Sequence, residues 1–153
     1  MTNIRLSPDE AGELLEEARI GIFTSLRRDG TPISLPVWFA AIDRRIYLHG
    51  PATAKKFTRV RNNPRVAFLC ETGERWVDLR AVHFTGTARA VTDASLERRV
   101  AADFDRRYTR LRPPRADLPD STKTHYQEFA VIEITPDERF LSWDNSRLLR
   151  TFT

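Results

Sequence analysis

Ile20-Gly21-Ile22-Phe23-Thr24-Ser25-Leu26, then Arg28-Asp29-Gly30-Thr31, then the apolar run over residues 33–42, is the stretch that decides how this chain folds. The first segment is rich in β-formers, Asp-Gly is a preferred tight turn, and the run after it supplies a partner strand, so the stretch predicts a β-hairpin. Asp43-Arg44-Arg45 makes a second turn before a strand over 45–49, which Gly50-Pro51 breaks. Upstream, Ser7-Pro8-Asp9-Glu10 is a capping box with proline at the first helical position, and Ala11, Leu14, Leu15 and Ala18 follow at helical spacing. A short amphipathic helix therefore leads into the hairpin.

Downstream, residues 65–70 read as a strand, Thr72-Gly73-Glu74 as a loop, and 76–91 as a long β stretch. Its apolar residues change parity, with Val77 and Leu79 on one and Val82, Phe84 and Ala88 on the other, which predicts a bulge near Arg80-Ala81. Thr92-Asp93 caps a further helix whose Leu96, Val100, Phe104 and Tyr108 share a face. Residues 110–124, rich in Pro, Asp, Ser and Arg and including Arg112-Pro113-Pro114-Arg115, read as a surface loop. Residues 129–134 form a closing strand, and 140–143 another. The expected fold is α+β, mainly β: one domain over residues 1–153, a six- to seven-stranded antiparallel barrel with three peripheral helices.

Composition bounds the function. At 153 residues with 41% hydrophobic content the chain is long enough to bury a core. No apolar run is long enough to cross a bilayer and residues 1–10 lack a secretory apolar core, which predicts a cytoplasmic protein with no membrane partner. The single cysteine, Cys70, lies in an apolar run and reads as a buried, inert thiol. The net charge of +4 raises nucleic acid as a partner, but 22 of the 25 cations are arginines scattered among acids, with no nucleic-acid motif. A small anionic ligand suits that pattern better. His49, His83 and His125 stand apart without metal-ligand spacing, so no metal is expected. With no paired carboxylates, no G-x-S-x-G elbow and no P-loop, no catalytic residue is assigned.

One more helix follows the broken strand, in Thr53-Ala54-Lys55-Lys56-Phe57-Thr58-Arg59-Val60-Arg61-Asn62-Asn63-Pro64. Thr53 is the expected cap, Phe57 and Val60 form the apolar stripe, and Asn63-Pro64 ends it. Lys55 and Lys56 then occupy the first turn, where the macrodipole is already positive and each cation costs roughly 0.3 to 1 kcal/mol. A phosphate held there would remove the conflict. Two solvated lysines on an exposed helix are the other reading, and the residues alone leave both open.

Five segments, Gly30-Thr-Pro-Ile-Ser-Leu-Pro-Val-Trp-Phe39, Ile46-Tyr-Leu-His-Gly50, Ala54-Lys-Lys56, Arg61-Asn-Asn-Pro-Arg-Val66 and Phe84-Thr-Gly-Thr-Ala88, together resemble the pyridoxamine 5′-phosphate oxidase-like superfamily. The resemblance covers residues 18–91 in order and continues more weakly to Trp143; Pro36-Val37-Trp38-Phe39 is similar to the branch that uses the deazaflavin F420. It implies an FMN-binding split β-barrel that works as a homodimer, with cofactor sites between subunits. Residue by residue, it implies that Lys55 and Lys56 hold the cofactor phosphate. Leu35, Pro36, Val37 and Trp38 would line the ring, although plain core packing also explains Val37 and Trp38. His49 and Gly50 would lie by the ribityl chain. Arg80, Trp143 and Arg147 would approach from the second subunit; for Arg80, a surface ion pair is the other reading. The implied activity is hydride transfer between FMN, or F420, and a small planar or conjugated substrate. A haem-binding or haem-degrading split barrel, using His49, His83 or His125 as axial ligand, and a non-catalytic flavin carrier or sensor are the alternatives. The extended basic and histidine-containing C-terminal motif that holds pyridoxal phosphate in the family is not evident in Arg147-Leu-Leu-Arg150.

Overall fold

The computed structural model describes residues 3–149. Helix α1 (Pro8–Glu17) starts as its capping box dictates: the Glu10 N–H donates to Ser7 Oγ at 3.2 Å, and the Ser7 N–H to the Glu10 carboxylate at 2.8 Å. Strands β1 (Gly21–Leu26) and β2 (Pro32–Val37) form the expected hairpin, and Gly30 supplies the turn with φ of 86°. The apolar run does not continue as one strand. It breaks at Trp38-Phe39, and β3 (Ala40–Ile42) pairs instead with β4 (Arg45–Pro51) across a turn in which Asp43 and Arg44 are left-handed.

The remaining elements are α2 (Lys55–Asn62), β5 (Arg65–Thr72), β6 (Arg80–Ala90), α3 (Ala94–Tyr108), α4 (Asp120–His125), β7 (Phe129–Asp144) and α5 (Ser146–Leu149). All strand pairs are antiparallel, in the order β2-β1-β5-β6-β7-β4-β3. Two residues thus carry the chain from one end of the seven-stranded order to the other, and the sheet curls into a half-barrel of the mainly β, α+β type expected. Five α-helices are found among the described residues against the three expected; α4 and two 3₁₀ turns occupy much of the 110–124 loop, and α5 follows β7. None of these helices is long and apolar enough to cross a membrane.

Two strand expectations need correction. The parity change before Val82 arises because Trp76–Asp78 is a 3₁₀ turn; β6 starts at Arg80, and Val82, Phe84 and Ala88 all face inward. No bulge lies near Arg80-Ala81. The irregularity sits further along, where Phe84 opposes Phe140 but Gly86 opposes Pro136, so β7 carries the extra residues. Asp137 in that segment accepts from Arg65 at 2.7 Å and Thr85 at 2.5 Å, and the Arg65 guanidinium holds its carboxyl down to about 2. Residues 129–134 and 140–143 accordingly belong to one 16-residue strand.

Two cores lie on opposite faces of the sheet. Inside the curl, Phe23, Phe39, Phe68, Phe84, Ile132 and Ile134 pack with Leu14 of α1 and with Phe57 and Val60 of α2. Cys70 is buried among them, and burial pushes its thiol up to about 12. On the other face, Val100, Phe104 and Tyr108 of α3 cover Tyr47 and Val131. The end of α3 ties these parts together. The Tyr108 hydroxyl accepts from the Phe39 N–H at 3.0 Å and lies 2.8 Å and 2.9 Å from the Phe39 and Arg19 carbonyls that take its proton. Arg107, which sequence reading did not distinguish from its neighbours, is buried. It donates to the carbonyls of Leu15, Glu16 and Ala18 at 3.2, 3.2 and 2.6 Å, capping the end of α1, and its guanidinium lies over the Phe39 ring.

Candidate cofactor site

The start of α2 is barer than expected. Thr53 is exposed and does not cap it; Ala54 occupies the N-cap position, with no side-chain hydrogen bond to the first-turn N–H groups. The two lysines then part company. Lys55 is exposed, whereas Lys56 is half-buried, with its Nζ over the edge of Gly50: a Cβ built on that glycine would lie 3.0 Å from it. Burial, and then the Arg59 charge, lowers the Lys56 pKa. No acid answers this amine among the described residues, whereas the buried Arg107 guanidinium is paired with Glu16. The helix sequence KKFTRVRN contains four cations and no acid. Those four equal the chain's whole net charge of +4, since the other 21 of 25 cations balance its 21 acids.

The structure brings Gly50 to Lys56 but scatters the rest of the expected set. His49 belongs to the opposite face of β4, enclosed by the Phe104 ring at 5.3 Å and stacked on Phe129 at 4.6 Å. Burial, then the charge of Arg112, holds its imidazole below the usual range, and Lys56 adds to the effect. Leu35 to Trp38 do not line a surface together. Leu35 and Val37 share the inward parity of Phe23 and Gly21, Pro36 projects to the outer face, and Trp38 lies flat on Tyr108 at 4.4 Å and 3°. Trp38 is therefore packed against the α3 core. Leu35, on an edge strand and 40% exposed, remains open to a ligand.

Arg80 pairs with Glu17 at 2.6 Å, as the surface ion-pair reading expected. Trp143 sits opposite Ala81 on the outer face, and Arg147 donates to the Arg5 carbonyl at 2.6 Å and bonds Glu10. All three lie at the Asp144 end of β7, most of that strand's length from Ala130, the partner of Gly50. One chain does not carry them to Lys56. Arg150 lies outside the described residues. Among the described residues no three His, Cys, Asp or Glu side chains gather as a metal would require.

Sequence reading missed Arg59. Its Nε donates to Ser25 Oγ at 2.7 Å, and Ser25 is fully buried. The signal available was its spacing, one turn beyond Lys56 on the same helix face.

Two open grooves mark the surface. One of about 420 Å³ is lined by Glu17, Ile20, Ile22, Leu69 and Glu71, the other of about 300 Å³ by His49, Ala94, Glu97, Arg98 and Phe129. Neither is lined by Lys55 or Lys56. The first groove runs into a cross-strand row over five strands, Pro36–Ile22–Leu69–His83–Leu141, apolar but for His83 and flanked by Thr24, Ser34, Ala67, Ala81 and Thr85, with Glu71 opposite Ala81 on the same face. Leu141 there is 64% exposed, and apart from Glu71 none of these residues is Asp, Glu, Lys or Arg.

With that geometry in place, comparison with known proteins is informative. The family model described as pyridoxamine 5′-phosphate oxidase matches residues 7–142. No curated protein matches the sequence. Among solved structures, a conserved hypothetical protein from Mycobacterium tuberculosis is similar at 28% identity and TM-score 0.81, over 97% of this chain and 91% of that one. A FAD-binding protein from Mesorhizobium loti is similar at 20% identity and TM-score 0.67, over 90% and 93%. The haem storage protein HutZ from Vibrio cholerae is similar at 16% identity and TM-score 0.69, over 92% and 96%. The last two likenesses are likenesses of fold.

Proposed function

Because the chain belongs to the pyridoxamine 5′-phosphate oxidase family, we propose that it binds a phosphorylated flavin or deazaflavin, FMN or F420. It uses that cofactor to move a hydride to or from a small planar or conjugated substrate. The observation that carries this reading is the half-buried Lys56 amine, without an acid partner, held beside Gly50 at the start of an acid-free helix. A phosphate fits there: it supplies the missing negative charge and takes the uncapped first-turn N–H groups as donors. Gly50 keeps the space that a side chain would fill.

The ring of such a cofactor supplies the hydride chemistry when it is bound. The chain's own part is to hold and shield it. Lys56, with Lys55 at the rim, anchors the phosphate end, and exposed Leu35 offers an apolar contact on the nearby sheet edge. The other end of the site is completed by a second copy. An isologous contact sets a surface against itself, so like charges on it repel, and the uncharged row through Leu69 and Leu141 is suited to that contact. It is the face beside Arg80 and Trp143, the residues one chain cannot deliver.

For the haem alternative, His49 is already stacked on Phe129 and in contact with Phe104, while it also lines the smaller groove. A carrier or sensor would bind the cofactor but give no turnover with any reductant. Titration of the purified protein with FMN and with F420, followed by absorbance and fluorescence quenching, is expected to show saturable binding of at least one. No binding of either ends the proposal. Sedimentation is expected to give a dimer that Leu141→Asp dissociates; a monomeric unaltered protein removes the shared site.

A further inference from the structure

On the face of β4 opposite Gly50, we propose that the groove of about 300 Å³ between α3 and the β4–β7 strand pair binds a small aromatic amino acid, with its ring on the sheet and its head group at the helix. Strand register sets the floor. His49 stands opposite Val131 and Pro51 opposite Phe129, so an imidazole, an isopropyl group and a phenyl ring meet on one face of two paired strands. The wall is one stripe of α3, in which Ala94, Glu97, Arg98 and Ala101 follow at i, i+3, i+4 and i+7. Its two alanines leave room that longer side chains would take.

The floor suits a flat ring. The His49 imidazole is held by stacking on Phe129, with 12° between the planes, and by the Phe104 ring, yet neither of its nitrogens has a hydrogen-bond partner among the described residues. Held below its usual range by burial and by the Arg112 charge, it is uncharged at neutral pH and offers a ligand one N–H donor and one acceptor. Phe129 is 45% exposed, which leaves an aromatic surface for a ligand ring to cover. The wall decides the head group. Glu97 and Arg98 both line the groove, and neither makes an ion pair among the described residues. As successive helix residues they do not face each other, so they present one negative and one positive charge at two points. A ligand with only a carboxylate would meet Arg98 and be repelled by Glu97, and a simple amine would meet the reverse. An ammonium and a carboxylate on one carbon answer both. The volume lies at the small end for ligand pockets and suits a single ring better than a fused ring system.

Four probes separate these contacts: phenylalanine, 3-phenylpropanoate without the ammonium, phenethylamine without the carboxylate, and alanine without the ring. Each is titrated into the purified protein and followed by calorimetry and by the His49 imidazole signals in NMR, which are identified by elimination with His83→Gln and His125→Gln. Phenylalanine is expected to shift the His49 signals saturably, with each of the other three about fivefold weaker or more, as for loss of one contact. Arg98→Gln should weaken phenylalanine about fivefold and leave phenethylamine within about twofold; Glu97→Gln should weaken phenylalanine similarly and leave 3-phenylpropanoate within about twofold. Both positions lie on the solvent side of α3, so the variants fold, and unchanged melting curves verify it. The absence of a saturable shift at His49, an order of affinities that phenylalanine does not lead, or a phenylalanine affinity indifferent to both charge substitutions overturns the proposal. None of the probes carries a flavin or a phosphate, so each of these outcomes leaves the cofactor reading to its own test.

Discussion

Arg107→Ala is expected to lower stability by about 3 kcal/mol or more, the cost of leaving buried acceptors of a charged donor unsatisfied. For a chain of this length that corresponds to a melting temperature lower by roughly 6 to 12 °C. The side chain is shielded from water and closes the last turn of α1 through three backbone carbonyls, so nothing else replaces it. The adjoining Arg106 provides the control. It pairs with Glu16 and Asp103 while more than half exposed, and Arg106→Ala should cost no more than about 1 kcal/mol. Chemical denaturation of the two variants side by side decides the matter: equal losses would mean that the α1 cap carries no special weight. Arg107→Lys should recover little, because an ammonium cannot fork among carbonyls spread over four residues.

The second large effect falls on binding. Lys56→Ala is expected to reduce affinity for a phosphorylated cofactor by about ten- to a hundredfold, the range of one strong charge-assisted contact, while exposed Lys55 contributes less than about fivefold. Riboflavin, which lacks the phosphate, should bind both variants and the parent alike. If Lys56→Ala leaves the phosphorylated ligand untouched, the site lies elsewhere. The pH dependence follows from the lowered Lys56 pKa. Only the protonated amine attracts an anion, so affinity should decline as pH rises through that lowered value, earlier than for an ordinary lysine. An anion stabilises the charged form and raises the pKa, so binding in that range should take up protons, measurable by calorimetry in buffers of different ionisation enthalpy. Lys56→Ala should abolish the uptake.

Much of this was readable in the residues because the signals are local. The Ser7 to Glu10 box, the Asp93 cap, the Asp29-Gly30 turn and the α2 stripe all appear where short-range rules place them. Lysines at the wrong end of a helix were legible for the same reason. What escaped was long-range. The run over 33–42 is apolar but for Ser34, and nothing in it marks Trp38-Phe39 as a crossover; the partner that holds it, Tyr108, lies far away in sequence. Arg107 differs from the other arginines only in what folds around it. Thr53 is a good capping residue by type, but the helix begins one position too late for it to serve.

The long final strand has a consequence for how the molecule behaves as a whole. Ile132 and Ile134 of β7 point into the curl, while Val131 lies beneath α3, so a single backbone threads both hydrophobic compartments. The strand joins the packing of the two, and Gly50, which pairs with Ala130, sits on that common spine.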